Sequence, residues 1–201
     1  MYTPAIPQDL LKLDASQEWP RQGNWTYDDF LRLPESDLRY EIIYGVLFVN
    51  AAPIFDHQYA VGEIFVKLHA YAAKNGGVAV LAPVEVHLAN IARPVQPDVL
   101  FLKDSQDLPK GSKHLIGAPD LIVEVLSPST RRKDLSVKLD AYEQAGVAEY
   151  WVVDLIHSSI LVFMLPEGGR EYVELGEFNV GDKFKSHLLP TFELDIATIF
   201  V

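Results

Sequence analysis

The sequence has no cysteine, which excludes disulfide staples, thiolate zinc sites, iron–sulfur clusters and cysteine nucleophiles. It is also short of positive charge: 17 Lys and Arg stand against 28 Asp and Glu, for a formal net charge of -11. A protein that coats nucleic acid without specificity carries the opposite balance, so any polyanion must be met by a local basic patch. Long apolar runs are missing as well. The longest apolar region, Tyr150 to Leu165, is broken by Asp154, His157, Ser158 and Ser159 and is too short and polar to span a bilayer. Met1 to Arg21 mixes Pro4, Pro7, Asp9, Asp14 and Glu18 with few consecutive apolar residues, unlike the cationic start and apolar centre of a signal peptide. There is no repeat of solenoid length and no low-complexity tract. The expectation is a soluble, cytoplasmic protein, a setting that suits a chain free of cysteine.

What is present is a core. Of 201 residues, 49% are hydrophobic, enough for one ordinary domain. The expected organisation is a loose arm over residues 1–25 and a single domain over 26–201. Thr26, followed by Asp29, Phe30 and Leu31, predicts a short capped helix that stops at Pro34. Arg39 to Val49 places two β-rich runs around Tyr44-Gly45, the pattern of a hairpin. From Asp56, a candidate N-cap, apolar residues recur with helical spacing until Gly76-Gly77. Strands are expected over Val78 to Leu88, Val95 to Leu102 and Asp120 to Leu126, with a polar loop from Lys103 to Ala118. A second helix from Arg131 to Ala145 precedes strands Glu149 to Ile156 and Ser159 to Leu165, a turn at Pro166 to Gly169, and further strands. The fold class this predicts is α/β, a mixed central sheet flanked by helices, with an N-terminal helix and β-hairpin ahead of a helix, three strands, a helix and a strand.

The chemistry concentrates on Glu124, the one charge inside the apolar strand Leu121 to Leu126. Ile122, Glu124 and Leu126 share one face of that strand while Leu121, Val123 and Val125 share the other, so the carboxylate lies beside core either way. An ionised carboxylate buried there needs a cation or a donor. An Arg or Lys ion pair meets that need, and so does a metal. Asp98 opens a neighbouring apolar strand after Pro97. Two carboxylates on adjacent strands form an oxygen site suited to Mg²⁺, although an Asp after Pro also serves simply as a turn residue. Lys138 falls between Leu135, Ala141, Tyr142 and Ala145 on the second helix, with Ser136, Asp140 and Glu143 opposite, so it points inward unless its stem snorkels to solvent. Glu41, among apolar neighbours in the hairpin, could add a ligand or hold a water, but periodicity alone makes it an exposed strand position. Glu85 and His87 alternate with Val84, Val86 and Leu88 and read as a solvated face. His57 stands at the start of a helix near the hairpin.

These residues resemble a known family. Tyr40-Glu-Ile-Ile-Tyr-Gly45, His57-Gln58, Gln96-Pro-Asp-Val99, Pro119 to Thr130, Asp134 with Lys138 and Tyr142, and Gly146 to Asp154 are similar to the Uma2 (DUF820) group of restriction-endonuclease-like proteins, abundant in cyanobacteria and placed in the PD-(D/E)XK nuclease superfamily. The resemblance implies a restriction-endonuclease-like αβββαβ core and a metal-dependent nuclease site in which Asp98 and Glu124 are ligands. The superfamily's usual lysine, two residues after the second carboxylate, is replaced here by Leu126, so that role would pass to Lys138. Family members often carry Asp-Gly-Glu in the hairpin turn, where this chain has Tyr44-Gly45-Val46.

The resulting expectation is an endonuclease that hydrolyses phosphodiester bonds in DNA, with Mg²⁺ or Mn²⁺ on Asp98 and Glu124, Lys138 and Glu41 completing the site, and Arg131, Arg132 and Lys133 contacting phosphate. Those three basic residues equally fit a solvated helix start. Cutting both strands calls for two sites, hence an expected homodimer using a sheet edge or Ile196 to Val201. The acidic net charge supports an alternative, a nuclease-like scaffold that binds nucleic acid or protein without cutting. Glycoside hydrolysis by paired carboxylates would require an aromatic-lined cleft.

Overall fold

The computed structural model describes residues 18–50, 52–127 and 133–201; most of the expected arm, together with Arg131 and Arg132, lies outside the described residues. The end of the arm packs on the domain. Trp25 is buried against Tyr40, Ile42 and Leu47, and Trp19 stacks on it with ring centroids 5.7 Å apart. Helix α1 (Tyr27–Phe30) starts at Thr26, whose hydroxyl accepts the Asp29 N–H while the Asp29 carboxylate accepts the Thr26 N–H. This reciprocal pair satisfies donors that a helix start leaves open.

The hairpin is formed by β1 (Arg39–Ile43) and β2 (Val46–Asn50), paired from Ile43 with Val46 to Arg39 with Asn50. Tyr44 and Gly45 turn it with φ of 52° and 69°, the left-handed values a tight two-residue turn requires. A side chain at Gly45 would overlap the Gly23 carbonyl, and the Gly45 carbonyl accepts the N–H groups of Gly23 and Trp25 at 2.8 and 2.9 Å. Helix α2 (Phe55–Asn75) buries Ala60, Val61, Ile64 and Leu68 along one stripe. Its N-cap is Ile54, without a side-chain bond, so Asp56 sits in the first turn and not at the cap.

Where the sequence predicts three strands after α2, six form: β3 (Val78–Leu81), β4 (Glu85–Leu88), β5 (Ala92–Val95), β6 (Val99–Leu102), β7 (His114–Ile116) and β8 (Leu121–Val125). The expected Val78 to Leu88 strand divides around Pro83 into β3 and β4, which join different sheets, and at Pro97 Val95 is parted from β6 to end β5 in the other sheet, because proline has no N–H for a ladder. The second helix opens as a π-helical turn, Asp134–Lys138, and continues as α3 (Leu139–Ala145). The remaining strands are β9 (Glu149–Asp154), β10 (Ser159–Met164), β11 (Val173–Asn179), β12 (Lys183–Lys185) and β13 (Glu193–Asp195), followed by a 3₁₀ turn, Ile196–Ile199.

A central six-stranded sheet runs in the order β11-β10-β9-β8-β6-β3, with β8 and β9 parallel and its other pairs antiparallel. A second sheet runs β2-β1-β5-β4-β7. The class is mixed α/β around a mixed sheet, as predicted, but the flanking differs. Helix α2 and the C-terminal segment cover one face, packing on Leu121, Val123, Val125 and Trp151. The second sheet covers the other face together with α3, packing on Leu100, Ile122 and Val152. No helix among the described residues is long and apolar enough to cross a membrane.

Candidate active site

The charged residues meet where residues of both sheets line one cavity. Strands β6 and β8 pair Val99 with Val123, so one further step of the same register sets Asp98 opposite Glu124. Both side chains follow the alternation that carries Leu100 and Ile122 toward the second sheet. From the facing sheet Glu41 comes in with the parity of Ile43. From below, the π-helical turn brings Lys133, Asp134 and Lys138 inward together. Its i to i+5 winding sets Lys133 and Lys138 one turn apart, which an α-helix would not do.

A cavity of about 400 Å³ opens among Arg39, His57, Asp98, Glu124, Lys133, Asp134 and Lys138. Lys138 Nζ lies 2.7 Å from Glu124 Oε1, 2.9 Å from Glu41 Oε1 and 3.7 Å from Asp134 Oδ1. The Tyr142 hydroxyl donates to the same Glu124 oxygen at 2.7 Å. Lys133 donates to Glu41 Oε2 at 2.6 Å and to Asn50 Oδ1 at 3.0 Å, while the Gln96 N–H reaches Glu41 Oε1 at 2.9 Å. Asp98 is held separately: Arg39 Nη1 donates to Oδ1 at 3.2 Å, the Val125 N–H donates to Oδ2 at 2.9 Å, and His57 Nε2 stands 3.2 Å from Oδ2.

Among the described residues the site gathers the carboxylates of Glu41, Asp98, Glu124 and Asp134 with the cations Arg39, Lys133 and Lys138, and His57 stands beside Asp98. Burial would raise Glu41, but Lys133 and Lys138 hold it well below the usual carboxylate range. Asp98 is lowered too, since the His57 hydrogen bond and charge and the Arg39 guanidinium outweigh its burial. Glu124 is the odd one out. Burial, with Asp98, Asp134 and Glu41 nearby, pushes it up to about 8 against the pull of Lys138. Lys138 is raised, because Glu124, Glu41 and Asp134 overcome its burial, and it stays charged.

Asp98, Glu124, Lys138 and Glu41 are thus brought into one region, each nearly inaccessible to solvent. Glu41 is not the exposed position that strand period suggests, because the central sheet covers its face. It does not line the cavity; it grips the two lysines that do. Lys138 reaches Glu124 and Glu41, while Asp98 takes Arg39 and His57 instead. Lys133, expected at the surface as a phosphate contact, is buried and committed to Glu41 and Asn50. Arg131 and Arg132 lie outside the described residues. Gln96 and Asp134 enter the sequence reading only within motifs of the resemblance, without a role, Arg39 only as the start of the hairpin, and Asn50 not at all; nothing in strand period marks a residue whose importance comes from the partner across a sheet gap.

A pocket that offers carboxylate oxygens of Asp98, Glu124 and Asp134 suits a hard divalent cation. Both donors to Glu124, Lys138 and Tyr142, fall on Oε1, leaving its other oxygen for a cation. Among the described residues lining the cavity there is no Phe, Tyr or Trp, which removes the platform a sugar ring would stack on.

None of the curated proteins compared matches the chain. Among solved structures, a protein from Anabaena variabilis described as "a putative nuclease belonging to DUF820" superposes with a TM-score of 0.70 at 19% identity, covering 87% of this chain and 97% of that one. That likeness concerns the fold. The sequence profile of the Uma2 family, described as "Putative restriction endonuclease", matches residues 27–197, a span that takes in both sheets and every residue of the cavity, and the chain belongs to that family.

Proposed function

We propose that the chain is a divalent-metal-dependent nuclease that hydrolyses phosphodiester bonds in DNA at the cavity between the two sheets. The observation that carries this reading is the convergence of Asp98, Glu124, Asp134, Lys133 and Lys138 from separate stretches of chain into one hollow. Asp98 and Glu124 would hold Mg²⁺ or Mn²⁺, which supplies Lewis-acid polarisation of a phosphoryl oxygen and a more acidic bound water. The chain's own groups supply the rest. Lys138 fixes the Glu124 carboxylate and keeps a permanent charge beside the position of a phosphoryl oxygen, where low dielectric strengthens its effect. Arg39 and His57 hold Asp98 ionised and in place. Glu41 anchors Lys133 and Lys138 from behind and is a positioning residue in this scheme. Arg131 and Arg132, just beyond the site strand, are the proposed phosphate contacts. Cleavage of both strands would pair two such sites in a homodimer.

The test is incubation of purified protein with supercoiled plasmid and Mg²⁺ or Mn²⁺, beside Glu124→Gln, Asp98→Asn and Lys138→Ala. Wild type should nick or linearise the plasmid, and each variant should lose about 100-fold or more in rate, the scale of losing one preorganised electrostatic group. Equal cutting by all four proteins would mean a contaminant and end the assignment. One observation favours the non-cutting scaffold: each acid of the site already holds a cation of the chain itself. No heat of Mn²⁺ binding in calorimetry at about 1 mM, a generous concentration for a two-carboxylate site, would select that reading.

A further inference from the structure

Glu85 and His87 read in sequence as a solvated face, and for His87 that reading fails: its side chain is 4% exposed. The alternation is real, with Val86 and Leu88 packed toward the central sheet, but the opposite face is roofed by Tyr27 of α1. Tyr27 stands edge-on to the His87 ring at 4.5 Å and its hydroxyl donates to Glu85 Oε2 at 3.2 Å. The neighbouring parallel strand β7 sets His114 level with Glu85. The two imidazoles lie face to face, 4.1 Å apart and within 5° of parallel. One donor atom from each of Glu85, His87 and His114 falls within 4.8 Å of the others. None of the three lines the cavity of the candidate active site.

Two polar atoms of this cluster have no partner. His87 Nε2, 3.6 Å from Glu85 Oε2 and too far for a hydrogen bond, and His114 Nδ1 are both buried and unpaired among the described residues. A buried nitrogen without a partner forfeits on the order of 1–3 kcal/mol, so two together call for a ligand that accepts their lone pairs. We infer that Glu85, His87 and His114 form a second, separate metal site that binds a transition ion of the Zn²⁺ type. Two imidazoles and one carboxylate are the donor set of a four-coordinate zinc site with one position left for water. Nitrogen donors favour zinc over the Mg²⁺ or Mn²⁺ that suits the oxygen-lined cavity. The Tyr27 hydroxyl on Glu85 is the outer hydrogen bond that fixes a ligating carboxylate. Because the rings now lie parallel, their in-plane lone pairs run side by side. Binding therefore requires the less buried His114 ring to turn toward His87. The ion would tie the three-residue edge strand β7 to β4 and to α1, a structural clamp independent of whether the cavity cuts DNA.

The test is titration of the full chain, stripped of metal, with Zn²⁺ in calorimetry and with Co²⁺ followed by visible absorption, alongside His114→Gln, Glu85→Gln and Glu124→Gln. Wild type should bind one Zn²⁺ per chain at this site, and Co²⁺ should give the intense visible bands of a four-coordinate nitrogen and oxygen site. Glu85→Gln should weaken binding about 10- to 100-fold and His114→Gln at least as much, the scale seen when a metal's ligand support is lost. Glu124→Gln, in the cavity, should leave Zn²⁺ affinity unchanged. His114 is half-buried on an edge strand, so its variant retains the core, and circular dichroism checks that it does. Equal Zn²⁺ affinity in wild type and His114→Gln, absence of binding to wild type, or loss only in Glu124→Gln would each overturn the assignment.

Discussion

On β8, Leu121, Val123 and Val125 enter a face that is apolar throughout, whereas Glu124, one position away, enters a hollow of buried carboxylates and cations. The same five-residue strand therefore supplies both the deepest part of the core and the centre of the candidate site. The two faces obey different physics. Burial under α2 is non-directional and gains roughly 1.5–3 kcal/mol for each large side chain taken from water. The charged face gains little by comparison, since desolvation offsets most of the attraction between buried ions, and well-packed apolar replacements are often as stable or more so. A protein selected only for stability would have no reason to keep the ionisable Glu124, whose carboxyl burial and its acidic neighbours raise to about 8.

The contrast can be broken most forcefully on the apolar face. Trp151 is fully buried and meets Phe184 edge-on at 5.0 Å. Trp151→Ala should cost about 3–5 kcal/mol in urea unfolding, while Mn²⁺ affinity of the folded fraction stays at the wild-type value. A smaller change of opposite sign is expected across the strand. Glu124→Gln removes a carboxylate whose ionised form burial disfavours and keeps the shape, so above pH 8 the variant should be more stable than wild type by about 1–3 kcal/mol, yet bind Mn²⁺ at least about tenfold more weakly. Destabilisation by Glu124→Gln at high pH would show that the carboxylate is an ordinary ion-pair partner and erase the distinction between the faces.

What the sequence made visible follows from the same contrast. Glu124 stood out because a lone charge in an apolar strand must be buried on one face or the other. Lys138 stood out because it shared a helical stripe with Leu135, Ala141 and Tyr142, and that inference survives the π-helical winding, which kept it inward and added Lys133 and Asp134. Glu41 and His87 were misread for one common reason. A period of two identifies two faces of a strand and says nothing about what covers the second. Here the cover is supplied by residues far away in the chain: the central sheet over Glu41, and Tyr27 over His87. Beyond the expected hairpin the second sheet was hidden because its other strands are short: β4 and β5 have four residues each, parted from the central-sheet strands at Pro83 and Pro97, and β7 has three.

The pH dependence sharpens the comparison further. The Glu124 carboxyl is raised from an ordinary 4.5 to about 8, first by burial and then by Asp98, Asp134 and Glu41. The stability this proton gives is therefore complete below about pH 4.5 and fades as pH rises through about 8. Glu41 is shifted the other way, so its contribution is present above its ordinary value and is lost as pH falls through the depressed one. Subtracting the pH–stability curve of Glu124→Gln from that of wild type should leave a decline between about pH 4.5 and 8. Over the same interval Mn²⁺ binding to wild type should tighten, because cation and proton compete for one carboxylate. A flat difference curve would show that Glu124 does not titrate in this interval.

The smallest effect is expected from Tyr142→Phe, which deletes one hydroxyl and leaves the packing of a fully buried ring intact. That hydroxyl donates to Glu124 Oε1 at 2.7 Å, alongside Lys138. Its removal should cost about 0.5–1.5 kcal/mol, the net value of one such hydrogen bond. The more informative readout is where Mn²⁺ binding sets in. A donor lost from the ionised carboxylate raises its proton affinity, so the pH at which binding reaches half its maximum should move upward in Tyr142→Phe, while the affinity at pH well above 8 stays close to wild type. A uniform loss of affinity at all pH values would instead mean that Tyr142 shapes the metal's surroundings directly, and that Glu124 is not the group whose titration governs the cavity.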